Sequence, residues 1–172
     1  MTDFLPPDQA TTSCGTPPLA AADRVKLENG IFSLFTKVPP DLIEPAYQHV
    51  HHADTLRLLE RARLAYMAHI GFPNEHFVAQ GLFVVLSKVE VSFLREVFAG
   101  ETEITVQQGS CLEDGRTLVL NQTIYRVDSG RRKAAVEARI HSIFMSGATK
   151  RAISPPEDFL RAVVRSGADS RP

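Results

Sequence analysis

The sequence has few cysteines, no long apolar run and almost no net charge, and each of these shortages excludes a class of protein. Its two cysteines, Cys14 and Cys111, provide neither a disulfide framework nor the spacing of a zinc site. We expect Cys111 to be a small buried residue in a strand and Cys14 to be exposed in a proline-rich stretch. The longest apolar runs, such as 81–86, are far shorter than the roughly 20 residues that cross a bilayer.

The formal net charge of -1 gives no broad attraction to nucleic-acid phosphates or to an anionic membrane surface. We therefore expect neither nucleic acid nor membrane as a partner. The start of the chain lacks a basic segment followed by an apolar one, so we expect a cytoplasmic protein. A length of 172 residues with 44% hydrophobic and 23% charged residues is typical of one soluble globular domain.

The two ends of the chain differ in composition from the middle. Residues 1–23 combine four prolines with small polar residues, a composition that predicts a flexible N-terminal arm. Residues 167–172 predict a flexible tail. A single domain is expected over residues 24–166.

A long apolar helix is predicted near the start of this domain. Residues 31–38 alternate as a first strand and stop at Pro39-Pro40. Over residues 54–70 apolar residues recur at helical spacing in two stripes, Leu56, Leu59, Met67 and Ile70 in one and Leu58, Ala62 and Ala65 in the other. Gly71 and Pro73 end the helix, which has too much apolar surface to face water.

Four strand-like runs follow, at 82–94, 101–112, 117–127 and 133–145, with no further helix until 157–164. Asp114-Gly115 and Ser129-Gly130 are residue pairs typical of tight turns. The three connections between the four strands together predict a meander. The order predicts an α+β protein with the hot-dog fold, a long central helix wrapped by an antiparallel sheet of five or more strands. An exposed sheet edge favours a homodimer or homotetramer.

The segment 47–63 contains His49-Val50, then His51-His52, and on the helix Glu60-Arg61-Ala62-Arg63. It resembles the 4-hydroxybenzoyl-CoA thioesterase-like family of acyl-CoA thioesterases, in which D-x-D-x-x-G-H-V-N-N precedes a helix with E-x-A-R. The resemblance covers residues 30–148. It implies hydrolysis of a thioester, in which backbone N–H groups at the helix start polarise the carbonyl and a carboxylate in the preceding loop attacks or activates water.

The start of a helix suits this task because its first N–H groups lack partners and carry a partial positive charge. The backbone from Val50 to Ala53, which includes His51, is the candidate substrate-binding segment. The spacing of His49, His51 and His52 would also fit a metal site, but the resemblance implies none. We predict no metal and no cofactor.

The family's two aspartates fall on Ile43 and Pro45 in this sequence, so the base must come from elsewhere. An imidazole ordinarily titrates near neutrality and can activate water. The candidate catalytic residues are two histidines and three carboxylates: His49, His52, Glu44, Asp54 and Glu60. The sequence leaves the choice among the first four open and gives Glu60 a supporting role.

The expected substrate is an acyl-CoA or acyl-carrier-protein thioester. Arg95, Arg131 and Arg132 are candidates for binding its phosphates. The predicted acyl pocket is apolar and lined by Leu56, Phe72, Phe77, Phe83 and Val85. Two other functions fit the same fold: a non-catalytic acyl-thioester binder that lost the aspartate, and a dehydratase acting on a 3-hydroxyacyl thioester.

Overall fold

The computed structural model describes residues 20–108 and 115–168. Its strands are β1 (Arg24–Glu28), β2 (Ile31–Lys37), β3 (Ile43–Glu44), β4 (His49–Val50), β5 (Leu82–Phe93), β6 (Glu101–Gln108), β7 (Thr117–Asp128), β8 (Arg131–Ser146) and β9 (Ala152–Ile153). Its α-helices are α1 (His52–His69), α2 (Asn74–Ala79) and α3 (Glu157–Ala168). A 3-10 turn, Pro40–Leu42, precedes β3.

The sheet begins with a hairpin that the sequence did not reveal. The strand predicted as the first, β2, is preceded by β1, which pairs with it in antiparallel register. Asn29 and Gly30 join the two strands with φ values of 49° and 70°, as expected for the central residues of a tight hairpin turn. The prediction missed β1 because four of its five residues are exposed at a sheet edge, where little apolar patterning is needed.

The predicted central helix is confirmed and begins two residues earlier than expected, at His52. Its buried face consists of Thr55, Leu58, Leu59, Ala62, Arg63, Ala65, Tyr66 and Met67. Full burial of a leucine such as Leu59 contributes about 1.5–3 kcal/mol to folding. Leu56 was wrongly assigned to a buried stripe: it is 42% exposed, because its position on the helix turns it away from the sheet.

The main sheet has the order β1-β2-β6-β7-β8-β5, with β9 paired to β8. The predicted meander is correct for β6, β7 and β8, but β5 pairs with β8 and not with β6. Residues 94–100 therefore cross the end of the sheet past two strands, over about 14 Å at the usual strand spacing. This crossover brings residues from the end of β5 to the start of α1.

An aromatic cluster closes the core at the other end of α1. The rings of Phe72, Phe77, Phe144 and Phe159 lie with centroids 5.2 to 6.0 Å apart. Phe72 and Phe77 therefore belong to the core, and the expectation that they line an acyl pocket was wrong. The sequence did not predict α2, which supplies Phe77, because a six-residue helix carries little periodicity.

The chain ends lie largely outside the described residues, as do Cys14, Cys111 and Asp114. At the boundary, the carboxylate of Asp23 accepts a hydrogen bond from Arg61 and so joins the chain before β1 to α1. The described helices include none with the length and apolarity required to span a membrane.

Candidate active site

A cavity of about 820 Å³ opens at the start of α1. One wall is the segment from β3 into the helix, and the other is the crossover together with the ends of β7 and β8. The lining residues are Glu44, Tyr47, His49, Val50, His51, His52, Thr55, Phe93, Leu94, Arg95, Glu96, Val97, Arg126 and Val136. The cavity thus combines an apolar floor of buried valines with a polar rim.

A small hairpin shapes the first wall. Its two strands pair Ile43 with Val50 and Glu44 with His49. Gln48 occupies the position of the family's glycine and has the φ of 58° that such a turn requires. Its side-chain amide donates to the carbonyl oxygen of Pro45 at 2.6 Å, which compensates for the strained conformation. The hairpin therefore places Glu44 directly across from His49.

The crossover holds this hairpin from the other side. The N–H of Val50 donates to the carbonyl oxygen of Val97 at 2.8 Å, and His49 forms an antiparallel bridge with Phe98. Arg126 donates to the backbone oxygen of Glu96 at 3.4 Å and stacks over the ring of Phe98. Glu96 and Glu44 are thus the two carboxylate residues among those that line this cavity.

Within the described part of the chain, the hydrogen bonds at the helix start leave one backbone N–H group without an acceptor. Five of the six amides from residue 50 to 55 have acceptors: Val50 to Val97 O (2.8 Å), His51 to Leu42 O (3.3 Å), Ala53 to His51 Nδ1 (3.3 Å), Asp54 to His51 O (2.9 Å) and Thr55 to His51 O (3.1 Å). The sixth belongs to His52, and no described residue accepts its hydrogen. Among the backbone N–H groups of residues 50–53, the predicted donor segment, only that of His52 has no acceptor among the described residues.

The partners of His49 and His51 give the two rings opposite tautomers. His49 Nδ1 lies 3.3 Å from the carbonyl oxygen of Tyr47, which can only accept, so in the neutral ring Nδ1 carries the proton and Nε2 is the free nitrogen. His51 is the N-cap of α1, and its Nδ1 accepts from the N–H of Ala53. In neutral His51 the proton is therefore on Nε2, which makes that atom a donor.

The structure places the remaining sequence candidates as follows. Arg95 lines the cavity, with its guanidinium donating to the carbonyl oxygen of Ala134 at 2.7 Å. Asp54 accepts from Arg57 at 3.2 Å and lines a smaller neighbouring cavity, and Glu60 lies farther along the helix on the side of Arg57 and Arg61. Neither carboxylate reaches the main cavity, and Ala53 does not line it.

Arg131 and Arg132 lie apart from the cavity, at the turn between β7 and β8. Arg132 donates to the buried carboxylate of Glu103 at 3.1 Å, and its guanidinium lies 4.0 Å from the ring centroid of Tyr125. Tyr47, Glu96 and Arg126 also line the cavity but were not among the predicted site residues. Tyr47 could have been predicted from its position next to the His49-Val50 motif. Glu96 and Arg126 could not, because only the crossover and the strand register bring them to the cavity.

Behind the cavity, α1 is tied to the sheet by a buried polar link. Arg63 donates to the side-chain oxygen of Gln122 at 3.0 Å, and the Gln122 amide donates to the carbonyl oxygen of Leu59 at 2.9 Å. Burial lowers the pKa of Arg63, and the charge of Glu60 partly opposes this shift. Residues 20–108 and 115–168 contain no group of three or more His, Cys, Asp or Glu side chains arranged to hold a metal ion.

A curved antiparallel sheet around one long helix, with a cavity at the helix start, defines a hot-dog domain. Residues 38–163 match the family model described as the thioesterase-like superfamily, so the chain belongs to this superfamily. Both the predicted fold class and the resemblance are confirmed. No curated protein matches the sequence.

Solved structures agree on the fold. The 4-hydroxybenzoyl-CoA thioesterase from Pseudomonas sp. strain CBS-3 superposes with a TM-score of 0.68 at 17% identity, covering 77% of this chain and 98% of that one. A 1,4-dihydroxy-2-naphthoyl-CoA thioesterase from Synechocystis gives 0.70 at 12% identity, covering 78% and 96%. A Staphylococcus aureus protein in complex with CoA gives 0.74 at 15% identity, covering 86% and 90%.

Proposed function

We propose that this protein hydrolyses an acyl thioester of CoA or of acyl carrier protein to the free acid and thiol, and that it does so in the cytoplasm. The observation that carries the proposal is the N–H of His52 at the start of α1, for which no described residue is an acceptor, in the same cavity as the imidazole of His49, whose neutral form has an unprotonated Nε2. The family and its CoA-thioesterase neighbours support the same reaction class.

The N–H of His52 polarises the thioester carbonyl. As the bond order of the carbonyl falls, negative charge develops on its oxygen, and an N–H at a helix start stabilises that charge together with the partial positive charge of the helix end. Because the hydrogen bonds around it occupy the neighbouring amides, this donor is fixed before substrate binds.

His49 is the general base. Its Nε2 takes a proton from water as the water oxygen attacks the carbonyl carbon and a tetrahedral intermediate forms. The C–S bond then breaks, and the proton returns from the imidazole to the leaving sulfur, so the products are the acid and the thiol. In this mechanism Glu44, which pairs with His49 across β3 and β4, stabilises the imidazolium between these steps.

The sheet edge supports assembly into a homodimer or homotetramer. In the described sheet, β5 pairs only with β8 and leaves its other edge open, and it exposes Phe83, Val85, Leu86 and Phe93. A long apolar edge strand of this kind is normally covered by another chain. Phe93 and Leu94 also line the cavity, so a partner at this edge would help to enclose the acyl group.

The test is a panel of acyl-CoA and acyl-carrier-protein thioesters assayed by thiol release. We expect turnover by the wild-type protein and a loss of about 10²–10⁴-fold in kcat/KM for His49→Gln, which removes the base. His69→Gln is the matched control, because His69 lies at the other end of α1 and outside the cavity.

Binding of these thioesters without turnover would contradict the proposal and favour the non-catalytic binder. Loss of water from a 3-hydroxyacyl thioester, with no thiol released, would favour the dehydratase.

A further inference from the structure

The side chain of His51 caps α1, and the capping hydrogen bond determines which ring nitrogen carries the proton in the neutral side chain. Its Nδ1 accepts the N–H of Ala53 at 3.3 Å, and a nitrogen that accepts cannot carry a proton. The neutral ring therefore presents an Nε2–H group, and no described residue accepts that hydrogen. The capping bond thus creates a fixed donor on a residue that lines the main cavity and also the smaller cavity beside it.

This donor belongs to the residue next to the free amide. His51 immediately precedes His52, and the two rings lie 3.9 Å apart between centroids with an interplanar angle of 40°. The contact with His52 and the capping bond both restrict the rotation of the His51 ring. Two N–H groups for which no described residue is an acceptor, the backbone N–H of His52 and the Nε2–H of neutral His51, therefore belong to consecutive residues that line one cavity.

We propose that His51 is a catalytic residue of this site, whose Nε2–H is the second hydrogen-bond donor to the thioester carbonyl oxygen. The proposal rests on the thioesterase function proposed above and divides the roles of the histidines. His49 moves the proton, while His51 keeps its own and stabilises charge. A donor of this kind acts on the transition state more than on bound substrate, so its removal lowers kcat more than it raises KM.

Three variants of His51 distinguish hydrogen-bond donation to the substrate from capping of α1. Asparagine at this position retains a capping oxygen and an amide donor, aspartate retains the cap without a donor, and alanine has neither. We expect the kcat of His51→Asp and His51→Ala to lie about 10²–10³-fold below that of His51→Asn, with KM changed far less. Urea unfolding shows the capping contribution separately, and His51→Asp is expected to keep it. Equal kcat values for the Asp and Asn variants would overturn the proposal.

The tautomer is measured independently of activity. In ¹⁵N-labelled wild-type protein at neutral pH, the imidazole ¹⁵N shifts of His51 are expected to show a protonated Nε2 and an unprotonated Nδ1. The opposite tautomer, or an imidazolium, would overturn the proposal. If His49→Gln abolishes turnover and His51→Asp does not, the second donor is refuted and the proposed function stands. If no thioester is hydrolysed by the wild-type protein, both fail.

Discussion

Replacing His52 with proline removes the backbone N–H at the first position of α1 and leaves the rest of the helix backbone in place. Proline is well suited to this position because its fixed φ matches the helix. His51 already has the extended conformation that a residue before proline needs, with φ -61° and ψ 143°. Since no described residue accepts the N–H of His52, the substitution breaks no hydrogen bond between described residues.

The matched control is His52→Ala, which removes the imidazole and keeps the N–H. Loss of one oxyanion donor typically lowers kcat by about 10²–10³-fold, or roughly 2.7–4 kcal/mol of transition-state stabilisation. We expect that difference in kcat between the proline and alanine variants. Their free energies of unfolding should agree to within about 1 kcal/mol, because the proline is compatible with the native backbone.

The assay is thiol release at saturating substrate, paired with urea unfolding of both variants. Comparison of His52→Ala with the wild-type protein reports separately whether the imidazole contributes. If the folded proline variant turns over substrate as fast as the alanine variant, the backbone N–H of His52 is not the oxyanion donor and the reasoning from the hydrogen-bond pattern is refuted.

Three further predictions concern stability. His51→Ala should lower the free energy of unfolding by about 0.5–2 kcal/mol relative to His51→Asn, because only asparagine replaces the lost cap; equal urea midpoints would contradict the cap. Gln122→Leu should destabilise by about 1–3 kcal/mol, since the buried guanidinium of Arg63 loses its acceptor, and an unchanged unfolding midpoint would argue against that link. Burial raises the pKa of Tyr66 above 10.0, so its contribution to stability is complete below that pH and is lost as the pH rises above it. Urea unfolding between about pH 9 and pH 11 should show a decline that Tyr66→Phe lessens, and identical slopes for both proteins would contradict it.

Local patterns predicted most of the secondary structure. The apolar stripes of α1 and the alternation in β5 to β8 are properties of neighbouring residues, so the sequence places these elements to within a few residues. The pairing of β5 with β8 is not local. Two strands and their turns intervene, and a crossover reads in the sequence like any other loop, so the meander was the wrong prediction there.

The residues of the candidate site also comprise some that a local motif predicts and some that only distant contacts bring together. Glu44, His49 and His52 were found because they lie in one short motif before the helix. Glu96 and Arg126 reach the cavity only through the crossover and the sheet register. Which backbone amide at the start of α1 lacks a described acceptor depends on partners as distant in sequence as Val97. The tautomers of His49 and His51 depend on the orientation of their rings. Neither property is encoded in a spacing of residues.

The most direct measurement is a crystal structure of the protein with a non-hydrolysable thioester analogue in which a ketone replaces the thioester. We predict the ketone oxygen at about 2.7–3.1 Å from the backbone nitrogen of His52, with the acyl group extending over the apolar floor of the cavity. An analogue bound with its ketone oxygen beyond hydrogen-bond reach of that nitrogen, or bound outside this cavity, would contradict the proposed site.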